Sequence, residues 1–143
     1  SWFVGLSDEI GAGASVAVAM KNLAHPDPSE VALLEKYATH TLWGHVQNPD
    51  YSVRASLFYY DPKLHPNYYA IRGGWDKPRT ETTWRSFNYP HVAAVYRALY
   101  HLARDYDGLT HAQTWDWYLE HAYRTVMAIR QFAPEEEGSA HVA

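Results

Sequence analysis

The run Thr83-Trp84-Arg85-Ser86-Phe87-Asn88-Tyr89-Pro90-His91 sets an amide, a phenol, a guanidinium and an imidazole beside two aromatic rings. Pro90 biases Tyr89 toward extended backbone, so Asn88, Tyr89 and His91 are expected around the start of a helix rather than along one stripe. Asn88 offers both a donor and an acceptor to a hydroxyl or carboxylate, while Tyr89 and His91 are proton-transfer groups. Arg85 suits a carboxylate, whether from the protein or from an acidic sugar. The plainer reading is helix capping and packing, and it fits Phe87 and Tyr89 best.

A second candidate is Ser7-Asp8-Glu9. Glycoside hydrolysis needs two carboxyl groups, one to protonate the leaving oxygen and one to activate water or attack the sugar. Sequence neighbours rarely face each other across a substrate, so the partner of Asp8 or Glu9 is expected elsewhere. Asp76 and Glu81 are candidates, and so is a residue outside this chain. The plainer reading makes both acids capping residues, which the positive end of a helix dipole favours.

The 143 residues fit one ordinary domain with a real core. Net charge is −4 and no Lys/Arg cluster is present, which disfavours nucleic acid as a partner. No apolar run approaches the roughly 20 residues that span a bilayer, so no membrane partner is expected. No basic stretch followed by an apolar one marks a signal peptide. The opening Ser1-Trp2-Phe3-Val4 reads as a processed chain or a piece of a larger one. There is no cysteine, hence no disulfide or thiolate metal site. The histidines are scattered without ligand spacing, and neither a metal nor a cofactor is expected.

Aromatics are 15% of residues, with 6 Trp and 12 Tyr against 4 Phe. Trp and Tyr join a flat apolar face to a polar handle. That pairing suits a pyranose, which has a C–H face and a hydroxyl rim. For any single ring, core packing is the better explanation.

Four helical stretches must position these groups. The first is expected from Glu9 to Leu23, capped by Ser7 or Asp8. Its glycines, Gly11 and Gly13, suggest close approach by another helix or a ligand. The second starts at the Asp27-Pro28 cap with Glu30 completing a capping box. It buries Val31, Leu34, Ala38, Leu42 and Val46, and ends at Asn48-Pro49. The third starts near Pro90 with a stripe of Val92, Val95, Leu99, Leu102 and Tyr106. The fourth starts at Thr110 and buries Trp115, Leu119, Ala122, Val126 and Ile129. Short links, Ala24 to Asp27 and Asp107 to Leu109, make two antiparallel hairpins. Between them, Pro49 to Asn88 is long, aromatic-rich and irregular or β-like, with Tyr51–Leu57 as an extended arm or a short helix and Tyr68–Ile71 as a second strand candidate. Residues 1–134 read as one all-α domain, and 135–143 as a mobile tail.

Three strings carry a resemblance: Gly5-Leu6-Ser7-Asp8-Glu9 with Gly11-Ala12-Gly13, the stretch 51–60, and Trp84 to His91. They resemble a bacterial domain-of-unknown-function family of large secreted proteins related to the six-hairpin glycosidases. The resemblance covers most of the chain to about Arg130. It implies an (α/α) toroid, of which these helices would be an arc, and a secreted or periplasmic location.

The leading expectation is therefore part of a carbohydrate-active enzyme of the glycoside hydrolase type. Asp8 or Glu9 would be the carboxyl catalyst, Trp75, Trp84 and Tyr89 would stack on sugar rings, and Arg85, Asn88 and His91 would bind hydroxyls. The partner would be an oligo- or polysaccharide, with the rest of the toroid or a second copy alongside. The alternative is a polysaccharide lyase on the same fold, with Asn88 or Arg85 neutralising a uronate and Tyr89 or His91 as base. A third reading is a non-catalytic glycan-binding or assembly module.

Overall fold

The computed structural model describes residues 10–59, 61, 63 and 76–134. Ser7, Asp8, Glu9, Trp75, the Tyr68–Ile71 candidate and the 135–143 tail lie outside the described residues. The fold is all-α, as expected. Among the described residues there is no strand, only isolated bridges pairing Gln47 with Trp43 and with Val53.

The first helix, α1 (Ala12–Ala24), begins later than the cap residues suggested. Gly11 precedes it with φ +68°, a left-handed conformation that glycine adopts without a Cβ clash. Its small residues Ala12 and Ala19 are buried, so its backbone lies close to α4 (Asn88–Asp105), which it packs against. Asn22 is fully buried near the end of α1. It donates to the Val18 carbonyl at 2.9 Å and accepts from the Asp27 amide at 2.8 Å.

The next helix, α2 (Pro28–Lys36), starts where the sequence says it should. Asp27 accepts from the amides of Ser29 and Glu30. The reciprocal half of the capping box does not form. Glu30 turns to Lys21 at 2.7 Å and Asn22 at 3.3 Å instead, tying α2 to α1. The expected face Val31, Leu34, Ala38, Leu42 and Val46 is all buried.

That helix does not run to Asn48. After Lys36 it widens into a π-helical segment, Tyr37–Leu42, and ends at Trp43, whose amide bonds the Ala38 carbonyl at 3.0 Å. The chain then turns back on itself through Gly44, at φ +96°. Residues 52–57 form an extended arm rather than a strand. Arg54 bonds Val46, while Ala55 and Ser56 bond Thr82 and Thr80. A single helical turn, α3 (Lys77–Thr80), precedes that docking edge.

The central element is α4. Val92, Val95, Leu99 and Leu102 are buried as their spacing predicts, although Tyr106 is exposed. The other flank of α4 is covered by α5 (Trp115–Phe132), which starts five residues later than expected, with Thr114 as its N-cap residue. Residues 106–114 form the connection. It is fixed by the buried Glu35 carboxylate, which accepts from the His111 amide at 2.9 Å, the Ala112 amide at 3.1 Å and the Tyr118 hydroxyl at 2.6 Å.

The buried face of α5 is the main departure from expectation. Tyr118, His121, Ala122, Thr125 and Ala128 point inward. Trp115, Leu119 and Val126 are 42%, 41% and 50% exposed. The polar members of the inner face are tolerated because Glu35 and Gln47 give Tyr118 and Thr125 hydrogen-bond partners.

Candidate functional site

The Trp84–His91 run sits where α4 meets the extended arm. Asn88 is fully buried, and its amide donates to the carbonyls of Arg54 at 3.1 Å and Ala55 at 3.3 Å. Arg85 donates to the same Ala55 carbonyl at 3.3 Å, with its guanidinium 4.4 Å above the Phe87 ring. Tyr89 is fully buried and donates to the Thr83 carbonyl at 2.7 Å. Burial pushes its hydroxyl pKa above the ordinary tyrosine value. The Nδ1 of His91 lies 2.8 Å from the Phe87 carbonyl one turn back. Trp84, 43% exposed, is the member of the run with most of an aromatic face toward solvent.

The run is thus a seam that satisfies backbone carbonyls of an arm with no ladder of its own. Asp76 and Glu81 are engaged nearby. Asp76 caps α3 through the Arg79 amide at 2.8 Å, and Glu81 pairs with Lys77. That pairing holds the Glu81 carboxyl below its ordinary pKa.

A different group of side chains converges at the end of the π-helical segment. His121 is 4% exposed. Its ring stacks on Trp117, centroids 3.6 Å apart and planes 19° from parallel. Trp43 meets it edge-on at 4.4 Å, and Tyr51 and Tyr96 close the cage at 5.3 Å and 5.4 Å. Trp43, Tyr51 and Trp117 are each partly open to solvent.

The Nδ1 of His121 lies 2.7 Å from the Trp117 carbonyl, which only accepts. The proton is therefore on Nδ1, and Nε2 carries a lone pair. That Nε2 is buried with no hydrogen-bond partner among the described residues. Burial lowers the imidazole pKa, so the ring is neutral at pH 7.

Under the rings lies a closed polar network. Fully buried Gln47 donates to the Thr125 hydroxyl at 2.7 Å and the Tyr51 carbonyl at 3.0 Å, and accepts from the Tyr96 hydroxyl at 2.9 Å. Thr125 in turn donates to the His121 carbonyl at 2.6 Å. Burial raises the Tyr96 pKa far above its ordinary value, so it remains a donor.

The network also grips a strained residue. Tyr51 has φ +69°, which costs a non-glycine residue about 1–2 kcal/mol. The turn around it is tied by Asp50, which accepts from the Ser52 amide at 2.9 Å and its hydroxyl at 2.5 Å. At the rim, Arg124 lies 5.5 Å from the Tyr51 ring and pairs with Glu120 at 3.0 Å. The arrangement supplies flat apolar faces, a cation and an anion at the edge, and a buried acceptor behind them.

Apart from Tyr51, which opens the 51–60 string, none of these residues stood out in the sequence. Trp117 and His121 are four apart on one helix and so share a face. That spacing was the one available signal. Trp43, Gln47 and Tyr51 join them only through the π-helical segment and the turn that follows. Among the described residues, no three His, Asp or Glu side chains gather as a metal site.

No curated protein and no solved structure matches the chain. Residues 1–139 match a family model, DUF5695, described as a family of unknown function. The chain belongs to that family.

Proposed function

We propose that this chain is the glycan-contacting part of a carbohydrate-active protein of the glycoside hydrolase type, built as a section of a larger (α/α) helical body. The observation that supports this is the Trp43–Tyr51–Trp117 ring group, mounted on the buried Gln47 network with Tyr51 held in a strained conformation. Strain retained beside partly exposed aromatics is a mark of a binding surface. Indole and phenol faces stack on the C–H side of a sugar, and Arg124 at the rim reaches its hydroxyls. Asp8 and Glu9 remain the carboxyl candidates for catalysis, and exposed Trp84 a second stacking position.

The test is titration of neutral and uronate-containing oligosaccharides, followed by tryptophan fluorescence and calorimetry. Saturable binding that Trp43→Ala or Tyr51→Ala weakens about tenfold is expected, which is the loss of about 1.4 kcal/mol of ring stacking. Loss on Trp84→Ala with no effect of Trp43→Ala would move the site to the seam. No binding to any glycan would sink the proposal.

The lyase reading has one specific support. Arg124, 5.5 Å from the Tyr51 ring, is a cation placed for a uronate carboxylate. Lyase action leaves an unsaturated sugar that absorbs in the ultraviolet, whereas hydrolysis does not.

A further inference from the structure

We infer that the face formed by α1, α4 and α5 is a self-association surface, and that its occupant is α5 of a second copy of this chain. This goes beyond the glycan reading and does not depend on it.

A groove of about 700 Å³ runs along this face. Its floor is made of small residues, Ala93, Ala94 and Ala98 on α4 and Ala122 on α5. Its walls are Met20 and Leu23 of α1 and Leu119, Tyr123 and Val126 of α5. A trough with an alanine floor between two helical ridges is the shape that admits a third helix at ordinary packing distance. The wall residues are substantially exposed, Tyr123 at 65%. A contiguous apolar face of this kind marks an interaction surface.

The charge pattern narrows the occupant. Arg97 is the cation that lines the groove, and among the described residues no carboxylate lines it; His101 beside it faces Asp105 of its own helix at 4.0 Å. The occupant should be an amphipathic helix with an acidic residue beside its apolar stripe. The chain carries such a helix. The outward stripe of α5 is Leu119, Tyr123, Val126 and Met127, with Glu120 at its edge. Glu120 spends its charge on exposed Arg124 of the same helix, a pair worth little in water. It is therefore available to Arg97 of a partner. A surface that holds both ridge and groove is self-complementary, which is the requirement of a two-fold interface.

Sedimentation equilibrium on the full chain, from about 1 to about 200 μM, spans dissociation constants in the micromolar range. A monomer–dimer equilibrium is expected. Leu119→Glu and Val126→Glu, both at exposed positions, should each abolish the dimer with unchanged circular dichroism and melting temperature at low concentration. Arg97→Glu and Glu120→Arg should each weaken it about tenfold, and the two together should restore it. A monomer across the whole range overturns the inference. So does a dimer that survives both glutamate substitutions, since it would use another face. Open-ended aggregation without a dimer limit overturns it as well.

Discussion

Glu35 is the residue with the widest reach. One buried carboxylate holds two backbone amides of the α4–α5 connection and the Tyr118 hydroxyl. Burial, reinforced by the carboxylate beside it, drives the Tyr118 pKa far up, so the hydroxyl stays a donor throughout the working range. Glu35→Ala leaves three donors without partners and should cost about 3 kcal/mol in urea unfolding. Glu35→Gln keeps one carbonyl oxygen and should lose less. Nothing near Glu35 in sequence announces this, because its partners lie 76, 77 and 83 residues away. A glutamate in a helix otherwise reads as solvated surface. Asn88 and Tyr89 were conspicuous from sequence, but what they bind is backbone: Asn88 the carbonyls of the arm and Tyr89 the Thr83 carbonyl.

His121 makes a second prediction at this scale. Its pKa is depressed in the folded chain by burial, while the unfolded chain titrates near 6.5. The unfolded state therefore binds the proton first as pH falls. Stability is complete above about pH 6.5 and declines as pH drops toward the lower folded value. Thermal melts from about pH 8 to pH 5 should show this fall, and His121→Gln should flatten it. A wild-type melting temperature constant over that range would contradict the assignment.

At the scale of elements, periodicity and caps located α2 and α4 well, because one face of each is plainly apolar and α2 has a capping aspartate. The register of α5 was not legible, because it carries apolar residues on both faces and its inner polar groups find partners only in the folded chain. The π-helical segment was invisible for a similar reason. Its apolar spacing continues that of α2, yet the wider turn re-aims the chain and delivers Trp43 to the ring cluster. Two substitutions check how elements are joined. Gly11→Ala has open space for its Cβ, so its cost of about 1 kcal/mol should come from the left-handed backbone alone. Asn88→Ala removes the bonds to the Arg54 and Ala55 carbonyls and should cost about 2 kcal/mol, with the arm gaining amide exchange before α4 does.

At the scale of the whole molecule, α4 is the axis, with α1 and α5 on its flanks and α2 clasped to α1. The all-α class followed from the sequence, since long periodic stretches with short links permit little else. The candidate ring cluster did not, because it gathers residues from the π-helical segment, the Asn48–Ser52 turn and two long helices. No local pattern records that meeting.

The stacking of Trp117 on His121 has an optical consequence. An indole in face contact with a neutral imidazole emits, and one against an imidazolium is quenched by electron transfer. Here the ring that would accept the proton is walled in by Trp43, Tyr51 and Tyr96. The Trp117 emission, read as the part of the signal that Trp117→Phe removes, should therefore dim only when the cage breathes. The protein carries its own gauge of how often that wall of rings opens.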